Sequence, residues 1–180
     1  MEARQEPRWN ALVRLADQLD RLAQAVDAVL VFVVPALVLL CFALVMARYL
    51  LASGSIAAQE ALQWLHSLVF LLGSAGALKA GRHVRVDVFS QRWSPRTQAL
   101  VDLLGHAFLL LPFCAFMFWI SLDYVAASWS LGEASRDPGG LPAIYLLKTL
   151  IPLTAALLAV QALAELARCV VRLRAEDGSA

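Results

Sequence analysis

Apolar residues run from 28 to 47 without a charge, as AVLVFVVPALVLLCFALVMA, and similar runs follow at 61–78, 103–122 and 141–166. Twenty residues of α-helix rise about 30 Å, the thickness of a hydrocarbon core, so each run is long enough to cross a bilayer. Pro35, Pro112 and Pro152 lie inside three of the runs, where a membrane helix tolerates them better than a soluble one does. Ser53-Gly54-Ser55, Arg92-Trp93-Ser94-Pro95 and Asp137-Pro138-Gly139-Gly140 supply turn chemistry between them. The pattern predicts an all-α integral membrane fold with four transmembrane helices, at about 28–50, 61–79, 100–122 and 143–167. These make a membrane domain over 28–168, between an N-terminal segment 1–27 and a tail 169–180. The first run exceeds the h-region of a secretory leader, follows several acids and ends without a small-x-small site, so it is expected to be retained. Ahead of it, Trp9, Leu12, Val13, Ala16, Leu19, Leu22, Ala23 and Val26 recur at helical spacing, with Arg14, Asp17, Arg21 and Gln24 elsewhere round the wheel. That spacing predicts an amphipathic helix lying in the cytoplasmic interface, the alternative being an extension of the first membrane helix.

Composition identifies the solvent. The chain of 180 residues is 61% hydrophobic and 16% charged, with a mean hydropathy of +0.68. A soluble domain is about 45–50% apolar and about 25% charged, and a body this small cannot bury the excess. An ordinary cytosolic domain, a disordered tail and a disulfide-stapled secreted module are excluded, and a net charge of +1 gives no reason to expect nucleic acid. Of the Lys and Arg residues, twelve lie on segments that four crossings put on one side, against Arg48, Arg136 and Lys148 on the other. Both termini are therefore expected in the cytoplasm. Cys41, Cys114 and Cys169 are odd in number and widely spaced, and read as buried small hydrophobes.

Ionisable groups at membrane depth need partners. Glu60 and Arg48 stand at the outer ends of two helices and form a candidate charge pair; Glu60 with Lys148 is equally open, and a substrate or ion site is the functional alternative. Lys79 closes the second helix on the inside. Asp102 and His106 share a face of the third helix, as a hydrogen-bonded strut or a proton relay. His66 and His106 belong to opposite leaflets, which argues against a shared haem, and no C-x-x-C or H-E-x-x-H occurs, so no cofactor or metal is expected. Gly73, Ala77 and Gly81 recur at four-residue steps, with Gly76 alongside, as a stripe that another helix can approach closely, inside the chain or in another protein. There is no phosphate-binding loop, no Gly-x-Ser-x-Gly elbow and no pair of interrupted hydrophobic segments in corresponding halves. The chain reads as an accessory, not an enzyme. A self-sufficient homodimeric exporter is the runner-up, disfavoured because the acids cluster at helix ends; a redox-complex anchor is disfavoured by the histidine depths.

From the second helix onward the sequence becomes specific. Glu60-Ala61-Leu62-Gln63-Trp64, Phe70-Leu71-Leu72-Gly73, Leu78-Lys79 and His83-Val84-Arg85-Val86-Asp87-Val88 resemble the small membrane subunit of tripartite ATP-independent periplasmic (TRAP) transporters, the DctQ type. Ser94-Pro95-Arg96, Asp102-Leu103-Leu104-Gly105, Ser128-Trp129, Gly132-Glu133-Ala134-Ser135, Gly139-Gly140-Leu141, Lys148, Ile151-Pro152 and Gln161 extend the resemblance over about 48–168. It is closest to the branch labelled for mannitol or chloroaromatic compounds. At Pro142-Ala143-Ile144-Tyr145 the chain departs from the pattern, which would have a tryptophan near Tyr145. The resemblance implies a non-catalytic scaffold of the bacterial inner membrane, with structural roles for Glu60, Trp64, Lys79, His83, Arg85, Asp87, Asp102, Glu133, Ser135, Lys148 and Pro152. It implies three associates: a large membrane subunit that binds substrate and sodium, a periplasmic solute receptor, and membrane lipid. The His83–Asp87 block is expected to be a cytoplasmic structural loop.

Overall fold

The first helix, α1, runs unbroken from Glu6 to Leu50 in the computed structural model, which describes residues 6–80 and 93–177. Its 45 residues rise about 67 Å, more than twice the hydrocarbon thickness. No break separates residues 8–26 from the apolar run, so the expected interfacial helix is replaced by an extension of α1. The reason lies in its packed face. Ala16, Asp20, Ala23 and Leu30 are buried at three-, four- and seven-residue steps, while Arg14, Asp17 and Arg21 are exposed. The inward stripe packs against protein, not headgroups.

Helix α2 spans Ile56–Lys79, five residues earlier than expected, because the Ser55 hydroxyl caps it by accepting from the Ala58 N–H at 3.3 Å. Helix α3 spans Pro95–Leu131. Ser94 caps it by accepting from the Thr97 N–H at 3.2 Å, and Pro95 takes the first turn, where its missing N–H costs nothing. A π turn over Gly105–Leu110 widens the ladder just before Pro112, whose ring cannot donate backwards. The sequence placed the end of this helix near 122; it continues to Leu131 because no residue before Gly132 breaks the ladder, with Ser121 and Ser130 satisfying their hydroxyls on the Phe118 and Ala127 carbonyls. Gly132, at φ +55°, makes the left-handed stop. Helix α4 spans Ile144–Asp177 and carries Pro152 inside it.

Four helices are thus long and apolar enough to cross a membrane, and no strand occurs among the described residues. They run up and down. Helix α4 is the core: 39% of its most apolar window is buried, against 6%, 11% and 6% for α1, α2 and α3. It packs against all three others, and α1 also packs against α2. Helices α2 and α3 splay apart over α4, leaving a cleft of about 280 Å³ lined by Phe70, Leu71, Phe113, Cys114, Met117 and Leu158 among others.

Candidate functional site

Two polar layers tie the helices together, one at each end of the bundle. At the end holding the α1–α2 and α3–α4 connections, Glu60 accepts from the Ser135 hydroxyl and, at 2.6 Å, from the Leu141 N–H. One α2 carboxylate therefore pins both strands of the loop that follows α3. Ser135 also accepts from the Asp137 N–H at 3.1 Å, and its own N–H donates to the Leu141 carbonyl at 3.1 Å. Gly140 makes this possible. A Cβ there would lie 2.3 Å from Ser135 Oγ and 2.7 Å from Glu60 Oε1.

Beside this latch, Glu133 accepts from Lys148 Nζ at 2.5 Å and from the Ser128 hydroxyl at 2.6 Å. The Lys148 ammonium, then the Ser128 hydroxyl, hold the Glu133 carboxyl below its ordinary value of 4.5. Lys148 Nζ lies 4.1 Å from the Tyr124 ring centroid, a cation–π contact. Trp129 donates to Thr149 at 2.9 Å and packs on Tyr145 with ring centroids 4.5 Å apart, so a tryptophan does stand beside Tyr145, supplied by α3.

The charge pair expected between Arg48 and Glu60 does not form, nor does Glu60 with Lys148. Arg48 is exposed at the end of α1, Glu60 spends its oxygens on the loop, and Lys148 is taken by Glu133. Trp64 is half-buried. Pro152, buried in α4, removes the N–H that the Lys148 carbonyl would otherwise receive.

At the other end Asp20, only 6% exposed, is a hub. It accepts from Gln161 at 3.1 Å, pairs with Lys79 at 3.2 Å, and receives Arg168, which also pairs with Glu165. Helices α1, α2 and α4 are joined by this one carboxylate. Sequence reasoning named Lys79 but missed the hub, because its partners on α4 lie 141 and 148 positions away. Gln161 Oε1 is buried without a partner among the described residues.

The small-residue stripe of α2 faces α1 of the same chain. A Cβ on Gly73 would meet Leu30 Cδ1 at 3.4 Å, and one on Gly76 would meet the Asp27 carboxylate at 2.2 Å. Ala77 is half-buried, and Gly81, His83, Arg85 and Asp87 lie outside the described residues. The His106 ring bonds the Asp102 backbone carbonyl at 2.6 Å, one turn back at the π turn, in the manner of a strut. His66 is exposed on α2. Cys114 and Cys169 are buried, but Cys41 is exposed on α1, contrary to the reading of all three as buried. Among the described residues no group of three or more His, Cys, Asp or Glu is placed to hold a metal ion.

Between the layers the interior is mostly apolar: Ser74 and Ser121 return their hydroxyls to their own helices, and the buried Thr154 hydroxyl has no partner among the described residues. Two acids depart from the rule that acids sit at helix ends, Asp27 against Gly76 on α1 and Asp123 on α3. Asp123 looked terminal while the third helix was expected to stop near 122; with α3 running to Leu131 it lies eight residues, about 12 Å, inside. It is exposed, and no hydrogen bond or ion pair reaches it from another described residue.

Four apolar rods, cross-linked by polar groups at both ends, define a multi-pass α-helical membrane protein. The chain matches the family profile of the tripartite ATP-independent periplasmic transporters, DctQ component, over residues 37–172, about three-quarters of its length. It belongs to the DctQ family, the small membrane component of TRAP transporters, which works with a large subunit and a periplasmic binding protein. No curated protein and no solved structure matches it significantly.

Proposed function

We propose that this chain is the stationary membrane subunit of a sodium-coupled, receptor-dependent importer of a small organic acid, holding a large membrane subunit in place. The observation that carries this is the distribution of charge. Asp20, Lys79 and Arg168 at one end and Glu133 and Lys148 at the other neutralise one another, Asp27 lies against Gly76 near the first of these layers, and the space between the layers is an apolar cleft. Such an interior offers a hydrated solute or ion no path, while the end layers fix the helices relative to one another. Both termini lie in the cytoplasm on this reading, which puts the Glu60–Ser135–Leu141 latch in the periplasm, where the solute receptor arrives. The organic-acid class rests on the resemblance alone, through relatives of the mannitol and chloroaromatic branch that serve 2-oxo or 2-hydroxy acids; the branch label itself is a poor guide to the solute.

Two-subunit vesicles given receptor, solute and an inward sodium gradient should accumulate solute, and vesicles lacking either membrane subunit should not. Uptake or export by this chain alone would overturn the proposal. Asp123 favours a second reading, a homodimeric exporter with an essential intramembrane carboxylate. It points out of the bundle, however, on the face opposite the buried Cys114, Ser121, Val125 and Ser128, so it lines no route through the protomer.

A further inference from the structure

Helix α3 presents one face to α4 and another to its surroundings, and the outward face is not built for lipid. Phe116, Trp119 and Ile120 stand out at 60%, 78% and 57% exposure, then Asp123 follows on the same stripe, then Ala126, Ala127 and Ser130, all exposed. Asp123 immediately precedes Tyr124, whose ring centroid lies 4.1 Å from Lys148 Nζ, so it stands at about the level of that ammonium. Lys148 has Glu133; Asp123 has no partner among the described residues. A bare carboxylate at this depth faces protein or water as a rule, not acyl chains. The residues on either side of it say which. Bulky aromatics to one side form a knob, and small residues to the other let a second backbone come close. Resting on the reading given under Proposed function, we infer that the Trp119–Asp123–Ala127 face of α3 is the seat of a transmembrane helix of the large subunit, which presents an Arg or Lys to Asp123.

The test uses the co-expressed pair, purified through a tag on the large subunit. Asp123→Leu and Asp123→Lys should each lower the recovered small subunit about tenfold or more, as loss of one partner of a desolvated charge pair does. Asp123→Glu should retain most of it. The melting temperature of the isolated Asp123→Leu chain should be no lower than that of the wild type, which separates lost docking from lost folding. A photoreactive phenylalanine analogue at Trp119 should cross-link to the large subunit in native membranes, and one at Phe32 on the outward face of α1 serves as the comparison position. Undiminished recovery of Asp123→Leu beside a recovered wild type overturns this inference and leaves the broader reading standing, as does a Trp119 cross-link to lipid or to a second copy of this chain. Failure of the wild type to hold the large subunit overturns both.

Discussion

Removing the carboxylate of Asp20 tests whether the inner layer holds the bundle together. Asp20→Ala takes the shared acceptor from Lys79, Arg168 and Gln161 at once, leaving Arg168 with Glu165 and Lys79 with no other partner among the described residues. Stripping one side of a fully buried pair costs about 3–5 kcal/mol. Here the Lys79 and Arg168 side chains each keep 25% exposure, so water screens part of the loss and about 2–4 kcal/mol is expected. At roughly 2–4 °C per kcal/mol for a chain of this size, the melting temperature in mild detergent should fall by about 5–12 °C. Asp17→Ala, at an exposed position on the same stretch of α1, should change it by no more than about 1–2 °C. The sharper measurement is a cycle of Asp20→Ala, Arg168→Met and the double variant. Because either single change already removes the shared Asp20–Arg168 pair, the double should cost about 1–2 kcal/mol less than the two singles together. Additive losses, or an Asp20→Ala melting temperature within about 2 °C of wild type, would refute the hub.

Three further outcomes follow from the same geometry. Gly140→Ala should lower stability by about 1–3 kcal/mol, since its Cβ runs into Ser135 and Glu60, and adding Ser135→Gly should recover part of the loss in the same melting assay. The folded-state carboxyl of Glu133 is held below 4.5 by Lys148 and Ser128, so its contribution is complete above that pH and disappears as pH falls through the lowered value. Trp129 fluorescence should therefore stay constant from neutral pH to about 5 and change only in stronger acid, with the acid transition absent from Glu133→Gln. Gly76→Ala should be nearly neutral, because the obstacle is the swinging end of Asp27, whereas Gly76→Leu should separate α1 from α2 and cost about 1–3 kcal/mol by denaturation.

The four apolar runs read directly as four rods, because hydrocarbon selects runs of about eighteen or more predominantly apolar residues. Their ends were less legible, since a run marks where lipid stops and not where the backbone stops winding. Helix α1 keeps winding through Arg14, Asp17 and Arg21 because those side chains point outward while Ala16, Asp20 and Ala23 turn in. Helix α3 passes Asp123 because nothing at that position breaks the ladder; the stop is Gly132, where the chain goes left-handed. The stripe at Gly73 and Gly76 announced a packing face, but Leu30 and Asp27 as its neighbours could not be named from spacing alone. Glu60 was expected to find a cation. Its actual partner, a backbone N–H 81 residues downstream, carries no sequence signal at all.

Where the cross-links fall also decides how each helix is held. In lipid, apolar contact between helices gains nothing over apolar contact with acyl chains, so fixed geometry comes from close backbone approach and from polar groups that must find one another. Helix α4 has both, receiving Asp20 at one end, through Gln161 and Arg168, and Glu133 at the other, through Lys148. Helices α1 and α2 share the small-residue contact and are joined at the Asp20 hub, and α2 is held again by the loop through Glu60. Helix α3 packs along α4 and is tied to it through Tyr124 and Trp129, with the π turn widening its ladder farther along. Its outer face carries Asp123, which has no partner among the described residues. A partner helix seated on that face would add a constraint from outside to those that α4 supplies from within, so binding it would complete the scaffold as well as dock it.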